Sequence, residues 1–304
     1  PDDSAFYLHS PYLSFHLPPR VLYIGNSTQA TPAVLIHEGW CWKEYKLQLG
    51  SSIAKPGVID ARGVVSWKQN GGDKKALKSN PKKLKGYKVR TWRLWGETGK
   101  QYVHSVKENR KAGTGVDPDV LEAEGIESER PIEADEVVFL RWTNPLSRHT
   151  RRYHFEYAGI DFYWKGTGTV KESRTCGLFL RYNHLKLVAK LPGGEKEKDG
   201  ERLEVCLGKY TSSIASKKSG SLDFFDTAIL RLIEEHAPQL LATDPFEDQS
   251  SVQEETEAEK ISRMKKGTLY QVIVATGMCM IISEKEKRQT FLEFLAEGGE
   301  AGGG

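Results

Sequence analysis

The stretch "KGTLYQVIVATGMCMIISEKEKR", residues 266–288, constrains this chain more than any other, because nothing between Leu269 and Ile282 carries a charge. The run falls short of the ~20 apolar residues that a bilayer-spanning helix needs. Apolar side chains would cover the whole circumference of a helix here: Leu269, Val272, Ile273, Ala275, Met278, Met280, Ile281 and Ile282 leave no polar stripe. A helix apolar all round is one buried on every side. The β-branched "VIV" also allows a central strand. The helix is the favoured reading, since "SEKEKRQTFLEFLAE" continues in helical register.

What precedes this run is strand-like. From Phe6 to about Leu207 the pattern is short aromatic and β-branched runs cut by Gly, Pro, Asn and Asp. Strands are expected in "FYLHSPYLSFHL", "VLYIG", "AVLIHEGWCWKEYKLQLG", "VIDARGVVSWK", "YKVRTWRLWGETGKQYVHSVKE", "CGLFLRYNHLKLVAKLP" and "RLEVCLGKY", and over Val137 to Trp142, Arg152 to Tyr157 and a short run ending at Trp164. That makes roughly ten to twelve antiparallel strands, more than one open sheet holds without curling. With 304 residues, 38% of them apolar, the chain is long enough to bury a sizeable core. The reading is mainly β: a closed antiparallel barrel around the C-terminal apolar helix, whose side chains fill what a wide barrel cannot fill itself.

Helical signals follow the strands. "SLDFFDTAILRLIEEHAP" opens with Ser/Asp cap candidates, puts Phe225, Ile229, Leu232 and Ile233 on one face, and stops at Pro238. Residues 239–265 are polar, with seven carboxylates from Asp244 to Glu259, and read as a disordered insertion or a solvated helix. About 111–134 reads as a long surface loop. The expected organisation is one barrel domain over 5–285 with flexible insertions at about 111–134 and 239–265, then a helical end and Gly-rich tail over 286–304.

Many antiparallel strands followed by a wholly apolar helix resemble the tubby-like C-terminal domain superfamily, which includes tubby-like proteins, phospholipid scramblases and LURP-one-related proteins. "SPYLSF", "VIDARG", "LKLVAKL" and "LEVCLGKYTSS" look like the strand-turn units of that superfamily. The resemblance covers about residues 5–285. It implies a barrel around a central helix and a non-enzymatic module that binds anionic membrane lipid or a protein partner.

The strongest local constellation is "KKALKSNPKKLKGYKVRTWR". Lys74, Lys75, Lys78, Lys82, Lys83, Lys85, Lys88, Arg90 and Arg93 fall in it with no acid among them, interleaved with Tyr87, Trp92 and the following Trp95. Ammonium groups on a loop and a following strand suit phosphate oxygens, of lipid headgroups or of a nucleic-acid backbone. They equally suit a solvated edge whose lysines keep a strand from pairing with another chain. Anionic phospholipid headgroups or an acidic protein are the expected partners, and nucleic acid is disfavoured. "SRHTRR", with Arg148, Arg151 and Arg152, is a smaller basic patch. The net charge of +3 gives no field over the whole protein, so any attraction must be local.

No catalytic set can be assigned, and the alternative reading is a protein-interaction or nucleic-acid-binding β protein, or an enzyme with a loop-borne site. His149 and His154 lie near Glu156 and Asp161 without a nucleophile to serve, and "GTGTV" at 166–170 lacks the helix N-terminus that a phosphate cradle needs. Cys41, Cys176, Cys206 and Cys279 contain no CxxC pair, so neither a metal site nor a disulfide framework is expected, and a reducing, cytoplasmic setting, peripheral at membranes, is. No cofactor is expected. Trp40, Trp42, Trp67, Trp92, Trp95, Trp142 and Trp164 each fall in an expected strand, where packing accounts for them.

Overall fold

The computed structural model describes residues 5–13, 16–39, 44–60, 62–69, 74–87, 131–142, 152–166, 184–191, 203–212, 220–241 and 256–300. Over these the protein is mainly β, with ten strands in one sequential antiparallel order and a few helices. The chain divides into two compact units, Pro1–Glu38 with Lys46–Val137, and Gly39–Tyr45 with Val138–Gly304.

The first unit contains β1 (Phe6–His9), β2 (Arg20–Ile24), β3 (Thr31–Glu38) and most of β4 (Glu44–Leu49). β1 and β2 pair antiparallel from Phe6 opposite Ile24 to His9 opposite Val21, and β2 pairs antiparallel with β3. Val21, Tyr23 and Leu35 pack with Ile53, Val58, Val65, Leu84 and Ala134 into one apolar cluster. Each such side chain contributes about 1.5–3 kcal/mol on leaving water. The short helix α1 (Lys74–Ser79) lies outside this cluster and buries none of its residues.

The strand expected in "VIDARGVVSWK" does not form. Ile59 and Val65 make an isolated bridge across a tight turn. Asp60 closes that turn, accepting from the Arg62 backbone N at 2.8 Å and from Arg62 Nε at 2.7 Å, while Gly63 supplies the left-handed φ of 74°. A carboxylate that bonds its own backbone two residues on overrides the β preference of the surrounding valines. Trp67 likewise lies in a short 3-10 turn, Trp67–Gln69, rather than in a strand.

The second unit holds most of β5 (Glu136–Trp142), then β6 (Arg152–Tyr157), β7 (Ile160–Gly166), β8 (Leu185–Lys190), β9 (Glu204–Ser212) and β10 (Gly220–Phe224). The strands alternate as a one-sided sheet should. In β7, Ile160, Phe162 and Trp164 are buried while Asp161, Tyr163 and Lys165 are half-buried. Phe155 of β6 stacks on Phe162 with ring centroids 4.9 Å apart.

Three helices follow: α2 (Asp226–His236), α3 (Glu257–Lys266) and α4 (Thr268–Glu300). The apolar run 269–282 is helical and belongs to α4. Between Leu269 and Glu284 none of its residues is exposed. Its few polar side chains are matched by aromatic partners in the same unit. Trp164 Nε1 donates to Thr276 Oγ1 at 3.2 Å, Tyr45 Oη and Ser283 Oγ are 2.7 Å apart, and Tyr153 Oη donates to Glu284 Oε1 at 2.7 Å.

Three features depart from expectation or lie beyond reach. Among the described residues β1 pairs with β2 alone and β10 with β9 alone, so the sheet has two ends and is not closed into a barrel. Closure is a long-range pairing, and no local pattern specifies it. The helix α2 starts later than expected, because Ser221 and Asp223 lie in β10, and its N-cap position is Phe225, which makes no side-chain cap. The strand pair expected over 88–108 and the strand expected before Asn183 fall outside the described residues. Thr256, by contrast, starts α3 with a full capping box with Glu259, and Lys260 Nζ reaches Glu234 of α2 at 3.2 Å.

Candidate functional site

The basic segment lies in the first unit, and its backbone is held where its charges are not. Leu84 is buried in the apolar cluster, and Tyr87 is buried with its N–H on Val65 O at 3.0 Å and its hydroxyl on Leu17 O at 3.1 Å. Between them Gly86 passes so close to the 66–67 backbone that a Cβ would lie 2.5 Å from Ser66 O and 2.8 Å from Trp67 Cα. No side chain fits there. Upstream, Asn80 organises the turn that leaves α1: its Oδ1 accepts from Lys82 N at 2.9 Å and its Nδ2 donates to Glu133 Oε2 at 2.9 Å.

Around this anchored backbone the ammonium groups face outward. Lys74, Lys75, Lys78, Lys82 and Lys85 are exposed and Lys83 is half-buried. Lys82 Nζ donates to the Asp135 carbonyl at 2.7 Å, and Lys85 Nζ lies 5.0 Å from the centre of the Tyr87 ring. The carboxylate of Asp135 is taken by Ser51 Oγ at 3.2 Å and Ser52 N at 3.5 Å. Of the residues expected here, six are thus brought together on one segment. Lys88, Arg90 and Arg93 lie outside the described residues, as do Arg148 and Arg151.

The residues that position this segment were not evident from the sequence. Gln48 is fully buried and donates through Nε2 to Pro81 O at 2.8 Å and to Lys83 O at 2.9 Å. Its Oε1 lies 2.7 Å from His37 Nε2. With both amide hydrogens engaged, the Gln48 oxygen can only accept, so His37 donates from Nε2 and its tautomer is fixed. Burial, helped by the nearby Lys46 and Lys85 charges and opposed by the Gln48 hydrogen bond, pushes the His37 pKa down to about 3. Burial also lowers the pKa of Lys46, whose Nζ lies 3.5 Å from Pro81 O. The only trace of this prop in the sequence is a polar pair, Lys46 and Gln48, alternating with Tyr45, Leu47 and Leu49.

The second unit places His154 against Asp161, Nε2 to Oδ1 at 2.7 Å, with the imidazole stacked on Tyr163 at 4.7 Å between centroids. This is a cross-strand pair on β6 and β7, whose register sets Glu156 opposite Asp161. Among the described residues no group of three or more His, Cys, Asp or Glu is arranged to hold a metal ion. Among them, too, no single helix is long and apolar enough to cross a membrane.

Fold and site together define a mainly β protein that presents a rigidly anchored lysine segment. Comparison with protein-family models, curated proteins and solved structures finds no match to this chain.

Proposed function

We propose that this chain is a non-enzymatic β module that docks on an anionic membrane surface through the segment Lys74 to Arg93. The observation that carries the reading is the combination of a fixed backbone, held by Leu84, Gly86, Tyr87 and Gln48, with outward lysines on a stretch that contains no acid. A lysine edge that merely stays soluble needs no such prop beneath it. Point-charge ammonium groups near a membrane add on the order of 1 kcal/mol each, within a Debye length. The resemblance to the tubby-like superfamily belongs to the same proposal. Its support is the all-round apolar α4 packed among antiparallel strands of the second unit.

The test is co-sedimentation with phosphatidylcholine vesicles, with and without phosphatidylserine, across a salt series. Wild type should bind the anionic vesicles and lose them steeply toward physiological salt. Joint replacement Lys74→Glu, Lys78→Glu and Lys85→Glu should abolish binding with little change in melting temperature, since exposed charges contribute little to stability. Undiminished binding by the triple variant returns these lysines to a solubilising edge. No binding by wild type leaves an acidic protein as the partner.

A further inference from the structure

The second unit carries a cationic row that the sequence hides, because its members lie on four different strands. In the ladder Arg152 stands opposite Lys165, Lys165 opposite Lys186, and Lys186 opposite Lys209. Neighbouring strands are about 4.8 Å apart, so the three lysines line up across about 10 Å of one sheet face, with Arg152 next to them in the backbone register. Like charges directly opposite one another destabilise a sheet. The flanks are relieved: Lys165 pairs with Glu204, and Lys209 Nζ lies 3.9 Å from Asp223. Lys186, half-buried between them, has a lysine opposite on both sides, and its diagonal neighbours Tyr163 and Thr211 carry no negative charge at neutral pH.

The other end of the same strands has the opposite sign. There Glu156, Asp161, Lys190 and Glu204 stand in register, three acids to one base. Glu204 is also the partner of Lys165 and Asp223 stands opposite Lys209, so the positive charge that no carboxylate offsets centres on Lys186.

We propose that this cationic row is a second docking surface, and that its occupant is the phosphate layer of an anionic bilayer. The choice between polyanions follows from Tyr163. A single strand of nucleic acid binds a sheet by stacking bases on free aromatic faces beside the cations. The Tyr163 ring already has His154 stacked on it at 4.7 Å, Lys190 Nζ at 4.9 Å and Lys165 Nζ at 5.5 Å from its centre. A base would have to displace these three groups to stack there. Phe139, on the same face two residues from Arg141, carries that guanidinium 5.4 Å from its centre, and what the row itself offers is charge, which suits an array of headgroup phosphates. The proposal shares its class of partner with the reading above but stands on a different unit and on different residues.

The experiment compares full-length wild type, Lys186→Gln and Lys186→Glu on phosphatidylcholine vesicles with and without phosphatidylserine, alongside the Lys74/Lys78/Lys85 triple variant. Lys186→Gln should weaken binding to the anionic vesicles by about fivefold and Lys186→Glu by more. Lys186→Glu should at the same time raise the melting temperature, because a carboxylate between Lys165 and Lys209 turns two repulsions into attractions. Loss of binding with a gain in stability is the signature of a position kept positive for a partner. If both Lys186 variants bind as wild type does while the triple variant fails, this surface is refuted and the lysine segment stands. If the Lys186 variants fail and the triple variant binds, the reverse holds. A uniform single-stranded oligonucleotide that wild type binds in preference to vesicles, and that Lys186→Glu releases, would overturn the choice of occupant.

Discussion

His37 Nε2 lies 2.7 Å from Gln48 Oε1, and through that contact an imidazole on β3 fixes the amide that holds the carbonyls of Pro81 and Lys83. The lysine segment is thus supported from beneath by three hydrogen bonds that meet at the buried Gln48 amide.

Replacing Gln48 by Leu keeps the volume but strips partners from His37, Pro81 O and Lys83 O. A polar group left unpaired costs about 1–3 kcal/mol when fully buried; His37 and Lys83 are half-buried and Pro81 O keeps Lys46 Nζ at 3.5 Å, so the variant should be destabilised by about 1–2 kcal/mol in urea unfolding. A loss under 0.5 kcal/mol would show that water replaces the amide.

The same contact predicts a pH dependence. His37 takes up its proton near pH 3 in the folded chain and near 6.5 when unfolded, so between these values the unfolded state binds more protons. Stability therefore rises with pH across this window and falls as the solution is acidified from 6.5 toward 3. The slope contributed is at most about 1.4 kcal/mol per pH unit, less to the extent that solvent screens a half-buried ring. His37→Gln should flatten the wild-type profile of melting temperature over pH 4–6.5; parallel profiles for the two proteins would remove His37 as the source.

Gly86→Ala forces a methyl group against backbone atoms, Ser66 O and Trp67 Cα, that cannot swing aside. Overpacking of this kind costs about 1–3 kcal/mol or more. Vesicle binding measured well below the new melting temperature should also weaken, because the lysines downstream of Pro81 lose their register. A variant that melts like wild type would mean that the 66–67 backbone yields.

Ile273 is fully buried in α4. Ile273→Asp should cost several kcal/mol through a buried charge without a partner. Thermal unfolding within a degree or two of wild type would contradict the packing of α4 described above.

The strands were legible wherever the pattern is local. Tyr153, Phe155 and Tyr157 alternate with polar neighbours, and β6 spans the residues that this alternation marks. The 269–282 run was legible as a buried segment, and the "SEKEKR" continuation as the reason for a helix. What stayed hidden depends on residues distant in sequence or on a competing local bond. Valines 58, 64 and 65 promise a strand, and Asp60 withholds it by capturing the Arg62 backbone. The capping box of α3 is written plainly in Thr256 and Glu259, yet the acidity around it reads as solvation. The lysine segment could be read from its own letters. Its support could not, since Gln48 meets Lys83 across 35 residues, and the cation row of β6 to β9 exists only once the register is known.

The three hydrogen bonds that seat α4 join residues 112, 131 and 238 positions apart, Trp164 to Thr276, Tyr153 to Glu284 and Tyr45 to Ser283. In a protein made from its N-terminus the strands of the second unit therefore leave the ribosome before their apolar filling does. Until residue 284 emerges, the inner face with Phe155, Phe162 and Trp164 has no helix to cover it. The late arrival also gives a checkpoint against mispositioning. Thr276, Ser283 and Glu284 act like the notches of a key, so a helix inserted one turn too shallow or too deep leaves all three without their aromatic partners. Stalled nascent chains ending before Thr268 should bind a hydrophobic dye, and chains extended past Glu284 should release it.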